Sequence, residues 1–187
     1  MPQIRTLGAT TALVATGVMV LSSVAAAHAG PHYGPWQFDN VWIDTEALDQ
    51  YTAPEDSRDK IIGLEGDDVL KAGNKRDLVR GNEGDDRIAG GPGSDTIFGG
   101  PGDDRLHGGS QADKVVGGPG ADRINGGFGR DLIEAGRGGD RIIANDGMRD
   151  RISCGPGFDS VKADMRDRIA RDCERVLRVK PDKPTTD

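Results

Sequence analysis

Aromatic residues are almost missing from this sequence, at 4% of 187 residues, and hydrophobic residues of all kinds reach only 35%. That is too little apolar material to fill a conventional core at this length. Histidine occurs three times and cysteine twice. There is no H-E-x-x-H, which removes the common zinc-protease arrangement. There is no G-x-S-x-G, which removes the nucleophile elbow of a familiar lipase. Nor is there an excess of base: 24 Lys and Arg face 31 Asp and Glu, for a net charge of −7. Nucleic acid is excluded as a partner, because its phosphates demand a basic footprint. An acidic balance suits cations instead.

One apolar stretch exists, and it lies at the front. Arg5 precedes a run from Leu7 to Ala27, and Ala27-His28-Ala29 fits a small-x-small cleavage pattern. Residues 1–29 therefore read as a secretory signal peptide cut after Ala29, with a membrane anchor as the alternative. The expected product is secreted, extracellular and not integral to a membrane. In an exported chain the even pair Cys154 and Cys173 suggests a disulfide; two unlinked thiols are the alternative.

Glycine, by contrast, is abundant, with 29 residues, and it is ordered. Aspartates fall at 59, 68, 77, 86, 95, 104, 113, 122, 131 and 140, nine residues apart throughout. Two positions after each stands an aliphatic residue: Ile61, Leu70, Val79, Ile88, Ile97, Leu106, Val115, Ile124, Ile133 and Ile142. Glycines recur five, four and two residues before the aspartate, as in Gly99-Gly100-Pro101-Gly102-Asp103-Asp104. A fixed short period signals a solenoid. A nonapeptide divides into a six-residue turn and a three-residue strand whose central side chain points inward. Two nonapeptides close one coil of 18 residues, and coils stack in parallel sheets about 4.8 Å apart. The inward aliphatics make only a thin ladder. Stacking also brings aspartates of alternate repeats together, and such rows repel unless they are protonated or neutralised. A hard divalent cation with oxygen ligands removes that repulsion, and glycine-rich turn carbonyls can complete its shell.

The block resembles the RTX (repeats-in-toxin, haemolysin-type) calcium-binding nonapeptide, GGxGxDxUx with U a large aliphatic. The likeness is close over residues 57–143 and loose over 144–170. It implies an all-β, right-handed parallel β-roll with several Ca2+ ions between adjacent turns, held by Asp carboxylates and turn carbonyls. Carried onto this sequence, Asp68, Asp86, Asp104, Asp122 and Asp140 line one edge. Asp59, Asp77, Asp95, Asp113 and Asp131 line the other. The turn positions are Gly66, Gly84, Gly102 and Gly120 on the first edge and Gly93 and Gly129 on the second. The first edge keeps glycine two residues before every Asp, whereas Ser57, Lys75 and Gln111 replace it on the second. The expectation is about four good sites along the first edge and weaker ones opposite. The family's long members carry a C-terminal export signal; the leader here is N-terminal, so that export route is not carried over.

The remaining segments read as caps. Residues 30–57 hold Tyr33, Trp36, Phe38, Trp42 and Tyr51 and are expected to cover the N-terminal end of a roll spanning 58–143. Beyond Asp140 the register slips, and 144–178 reads as degenerate coils without calcium, closed by Cys154 and Cys173. A helix over 164–178 is the alternative, since Met165, Ile169, Cys173 and Leu177 are four apart. Residues 179–187 read as a polar tail. Arg87, Arg105, Arg123 and Arg141 recur at an outward strand position; they form either a solvated face or a docking strip for an acidic polymer. The function expected is calcium binding without catalysis in a monomer. The alternative is an adhesin-like module for a cell surface or acidic polysaccharide. A polysaccharide-acting enzyme comes last, because carboxylates recurring every nine residues read as structural ligands.

Overall fold

The computed structural model describes residues 40–43, 50–53 and 56–180, the first of these as backbone only. The leader, Tyr33, Trp36 and Phe38, the rest of the aromatic segment apart from those short stretches, and residues 181–187 lie outside the described residues. The described residues form sixteen strands and no helix. Strands alternate between two eight-stranded sheets in which every pairing is parallel. Each sheet therefore receives every second strand, and the chain winds as a β-solenoid.

The 18-residue coil holds over most of the winding, from Lys60 paired with Leu78 to Arg123 paired with Arg141. One extra residue in 144–150 lengthens both coils that contain it, so that Leu132 pairs Arg151 and Arg141 pairs Ser160. The insertion sits in a turn, where Gly147 takes φ 94°, so the strands beyond it keep their facing. The last coils shorten: Arg151 pairs Arg168, and Ser160 pairs Arg175. Residues 164–178 form strands and turns and contain no helix.

Alternation within each strand decides the core. Ile61, Val79, Ile97, Val115, Ile133 and Ile152 point inward from one sheet; Leu70, Ile88, Leu106, Ile124, Ile142 and Val161 point inward from the other. Their neighbours on either side face outward. The core is thus one side chain deep per strand, with Ala72, Ala135, Ala144 and Ala163 filling its corners.

Cys154 and Cys173 are joined as a disulfide across 19 residues, with Cα atoms 5.2 Å apart. Closing a loop of this length stabilises by about 3 kcal/mol. The bond ties the final coil to its predecessor, where stacking has a partner on one side only. Reducing it, or the pair Cys154→Ser with Cys173→Ser, is expected to open the winding locally. Hydrogen exchange should speed up at 160–179 while amides of 87–142 keep their protection.

Candidate metal centre

The aspartate side chains turn back under the chain, and each lies against the coil before it. Along the first edge the amides of Asp68, Asp86, Asp104 and Asp122 donate to Oδ1 of Asp86, Asp104, Asp122 and Asp140, at 2.8–2.9 Å. Along the second edge the amides of Asp59, Asp77, Asp95 and Asp113 donate to Oδ1 of Asp77, Asp95, Asp113 and Asp131, at 2.7–2.9 Å. Both rows are continuous and both are buried. The structure therefore brings together the carboxylates of each edge as the sequence orders them.

Both rows run further than the sequence reading placed them. The Asp131 amide donates to Asp150 Oδ1 and the Asp140 amide to Asp159 Oδ1. The extra residue of 144–150 shifts the spacing without shifting the stack. Their sequence signal was present in Asp150-Arg151-Ile152 and Asp159-Ser160-Val161, which repeat the D-x-U pattern.

Through most of both rows only one oxygen of the carboxylate is hydrogen-bonded. In Asp77, Asp86, Asp95, Asp104, Asp113, Asp122, Asp131, Asp140, Asp150 and Asp159, Oδ2 is buried and has no hydrogen-bond partner. The row ends differ. Asp59 Oδ2 accepts from the Ser57 hydroxyl, and Asp167 accepts from the amides of Asp150 and Asp164 on its two oxygens. Glu174 closes the other row by accepting from the Asp159 amide. The orphaned oxygens thus belong to the interior of the stack. A buried carboxylate oxygen without a partner is costly, and its regular repetition marks room for a ligand that supplies positive charge.

At the turns that oxygen and a main-chain carbonyl crowd the same glycine. A Cβ added to Gly90 would lie 2.6 Å from Asp95 Oδ2 and 2.5 Å from the Gly108 carbonyl oxygen. Gly81, Gly99, Gly108 and Gly117 present the same pair, the Oδ2 five residues on and a main-chain carbonyl one coil on. Ala72 and Ala135 carry a methyl group at the corresponding positions before Asp77 and Asp140. Among the described residues no group of three or more His, Cys, Asp or Glu side chains converges on one point. Carbonyl oxygens must therefore complete any ion's shell, and hard oxygen donors of this kind suit calcium.

Where glycine stands two residues before the aspartate, close stacking leaves no space for a side chain in its conformation. A Cβ on Gly84, Gly102 or Gly120 would strike the carbonyl of Gly66, Gly84 or Gly102, and one on Gly93 or Gly129 would strike that of Lys75 or Gln111. Lys75 and Gln111 take positive φ of 80° and 78°, against 155° at Gly129 of the same edge. A positive φ strains a residue with a side chain, and the carboxylate row beside them stays intact. On the first edge Asn82 takes φ 80° four residues before Asp86, a place that Leu64 fills before Asp68 and that Gly100, Gly118 and Gly136 fill in the later repeats. Asparagine tolerates that region better than most residues.

Charge crowds these rows. Burial pushes Asp104 and Asp113 up to about 8, and Asp95, Asp122 and Asp150 up to about 7, against an ordinary 3.8. Asp77, Asp86 and Asp131 are raised to about 6 for the same reason. The donated amide opposes this rise throughout, and neighbouring carboxylates of the row add to it at Asp104 and Asp113. Positive charge at each orphaned oxygen would reverse the effect.

A profile for the RTX calcium-binding nonapeptide repeat (4 copies) matches residues 62–97, 80–115 and 116–147. No curated protein matches the chain. The matched residues carry the aspartate rows, the glycine turns and the inward aliphatics described above, and repeats of this type in a parallel β-solenoid imply calcium binding. Residues 62–147 therefore carry RTX calcium-binding nonapeptide repeats.

Proposed function

We propose that calcium held in the two carboxylate rows drives and stabilises folding of this chain outside the cell, and that it acts by binding and not by catalysis. One observation carries the reading: the interior carboxylates of each row are buried with one oxygen unpartnered, so the fold holds negative charge that its own groups do not neutralise. The residues that would hold the ions are Asp68, Asp86, Asp104, Asp122 and Asp140 on the first edge and Asp77, Asp95, Asp113 and Asp131 on the second. Turn carbonyls around Gly66, Gly84, Gly93, Gly102, Gly120 and Gly129 complete the set. Bound calcium supplies the positive charge that lets adjacent coils stack with their carboxylates ionised. An N-terminal leader delivers the chain to a medium where calcium is millimolar, which suits weak extracellular sites.

The first edge fills before the second in this reading. Strained Lys75 and Gln111 sit in the second row, and the Arg76 charge acts on Asp95. Calcium titration of metal-stripped protein, followed by far-UV circular dichroism and calorimetry, should show β-structure rising with calcium and two classes of site. Full β-structure and unchanged melting without metal would defeat the proposal. Asp104→Asn separates charge from packing. It keeps an acceptor for the Asp86 amide and removes one negative charge, so the metal-free protein should gain stability while calcium-loaded protein loses it. Loss under both conditions would point to packing alone.

A further inference from the structure

The outer faces of the two sheets differ in a way that calcium does not explain. On the sheet carrying Leu70, Arg87 stacks on Arg105, Arg105 on Arg123 and Arg123 on Arg141. All four are exposed. Among the described residues none of these guanidinium groups makes an ion pair or a side-chain hydrogen bond. Strand neighbours in a parallel sheet are about 4.8 Å apart, so four like charges stand in one line with nothing between them. Stacked like charges destabilise a sheet. Solubility alone needs no such line, as the opposite sheet demonstrates. There the matching positions run Lys60, Leu78, Thr96, Lys114, Leu132, Arg151 and Arg168, so that basic residues are adjacent only in the last pair. Lys114 pairs with Glu134 at 3.5 Å and Arg80 lies 5.1 Å over the Phe98 ring.

Charge around the line is graded. Carboxylates of Asp67, Asp85 and Asp103 border its N-terminal part, and each accepts from an amide of the next coil, the last from Ala121. At the next steps that border row holds Ala121 and Gly139, so Arg123 and Arg141 have no carboxylate in it. Lys162 and Arg175 continue the basic character beyond them on the same sheet.

We propose that the ladder Arg87–Arg105–Arg123–Arg141 is a docking strip for an acidic polysaccharide chain laid along the solenoid axis, held most tightly at its Arg123–Arg141 end. Each guanidinium offers a planar fork to a carboxylate or sulfate, and one coil advances by about the length of one sugar unit. A linear polymer with one anionic group per sugar or two can thus meet successive arginines without bending. Single-stranded nucleic acid fits less well. The other outward positions beside the ladder are Ala89, His107, Asn125 and Ile143, which offer one imidazole and no repeated row of aromatic rings on which successive bases stack. The strip depends on the fold alone, so it stands even if the winding proves not to need metal.

The test uses full-length protein saturated with calcium at low ionic strength. Its probes are chondroitin sulfate, neutral dextran and single-stranded oligothymidylate, with affinity read by isothermal titration. Chondroitin sulfate should bind, weaken as salt is added, and bind about tenfold or more weakly to Arg123→Ser/Arg141→Ser. Arg123→Lys/Arg141→Lys, which keeps both charges, should stay within a few-fold of the parent. Arg151→Ser/Arg168→Ser, on the other sheet, should leave affinity unchanged. Circular dichroism and melting of each variant verify that the winding is intact. The proposal is overturned by absent chondroitin sulfate binding, by equal losses in the two serine pairs, or by dextran or oligothymidylate binding as tightly.

Discussion

Gly120→Val is expected to break the solenoid at its centre. Gly120 takes φ 149°, and a Cβ there would strike the carbonyl of Gly102 in the coil before. The obstacle is backbone, which cannot swing aside as a side-chain tip would. A β-branched residue is also among the least tolerant of positive φ. Strain plus a forced separation of two coils should cost on the order of 3–5 kcal/mol. Because each coil touches only its neighbours, the damage stays local in space but splits the cooperative unit. Calorimetry should resolve the single melting transition into two, or lower it sharply. Gln111→Gly at the related place of the other row should do the reverse, gaining up to about 1 kcal/mol as the strained φ of 78° is relieved. Unaltered melting of Gly120→Val would contradict the close stacking on which both rows depend.

The second large effect is on pH. Asp77, Asp86, Asp95, Asp104, Asp113, Asp122, Asp131 and Asp150 all have folded values between about 6 and 8, above the ordinary 3.8. Between those limits the folded chain holds more protons than the unfolded one. Stability of the metal-free protein is therefore greatest near or below pH 4 and falls as pH rises through 6 to 8. This is opposite to ordinary acid denaturation, in which paired carboxylates lose their partners on protonation. Calcium must displace those same protons, so its affinity should rise across the same interval and binding should release protons. Melting temperature against pH, in metal-free buffer and then with calcium, checks both arms. The first curve should slope down and the second should rise or stay level. A flat metal-free profile between pH 4 and 8 would show that the buried carboxylates are already neutralised by other means.

The two effects share one cause. Glycine lets coils approach until amides can reach the carboxylates of the next coil. The same approach buries the second oxygen of each carboxylate beyond the reach of water.

How much of this could be read beforehand depends on the residue. Ile97 and Leu106 declare themselves inward by standing two places after an aspartate, because strand alternation is local and repeats without change. Cys154 and Cys173 announced a pair by number alone. Asp150 and Asp159 repeat the local D-x-U pattern, but that they accept from the amides of Asp131 and Asp140 depends on how the turn absorbs one inserted residue. Lys75 and Gln111 looked like interruptions of the second row. The backbone instead holds both at positive φ, and the row passes them intact. Asn82 carries no repeat signal of its own, and its φ of 80° exists only once the turn is built.

The sequence alone determined the period, the coil of 18 residues, the inward and outward faces, and which aspartates share an edge, because each follows from a local pattern repeated at fixed spacing. The tertiary structure decided where the rows end, which oxygen of each carboxylate is bound and which is left bare, and that four arginines stand in one unbroken line. Those depend on the distance between coils and on how turns absorb an extra residue, and such distances exist only once the chain has wound upon itself.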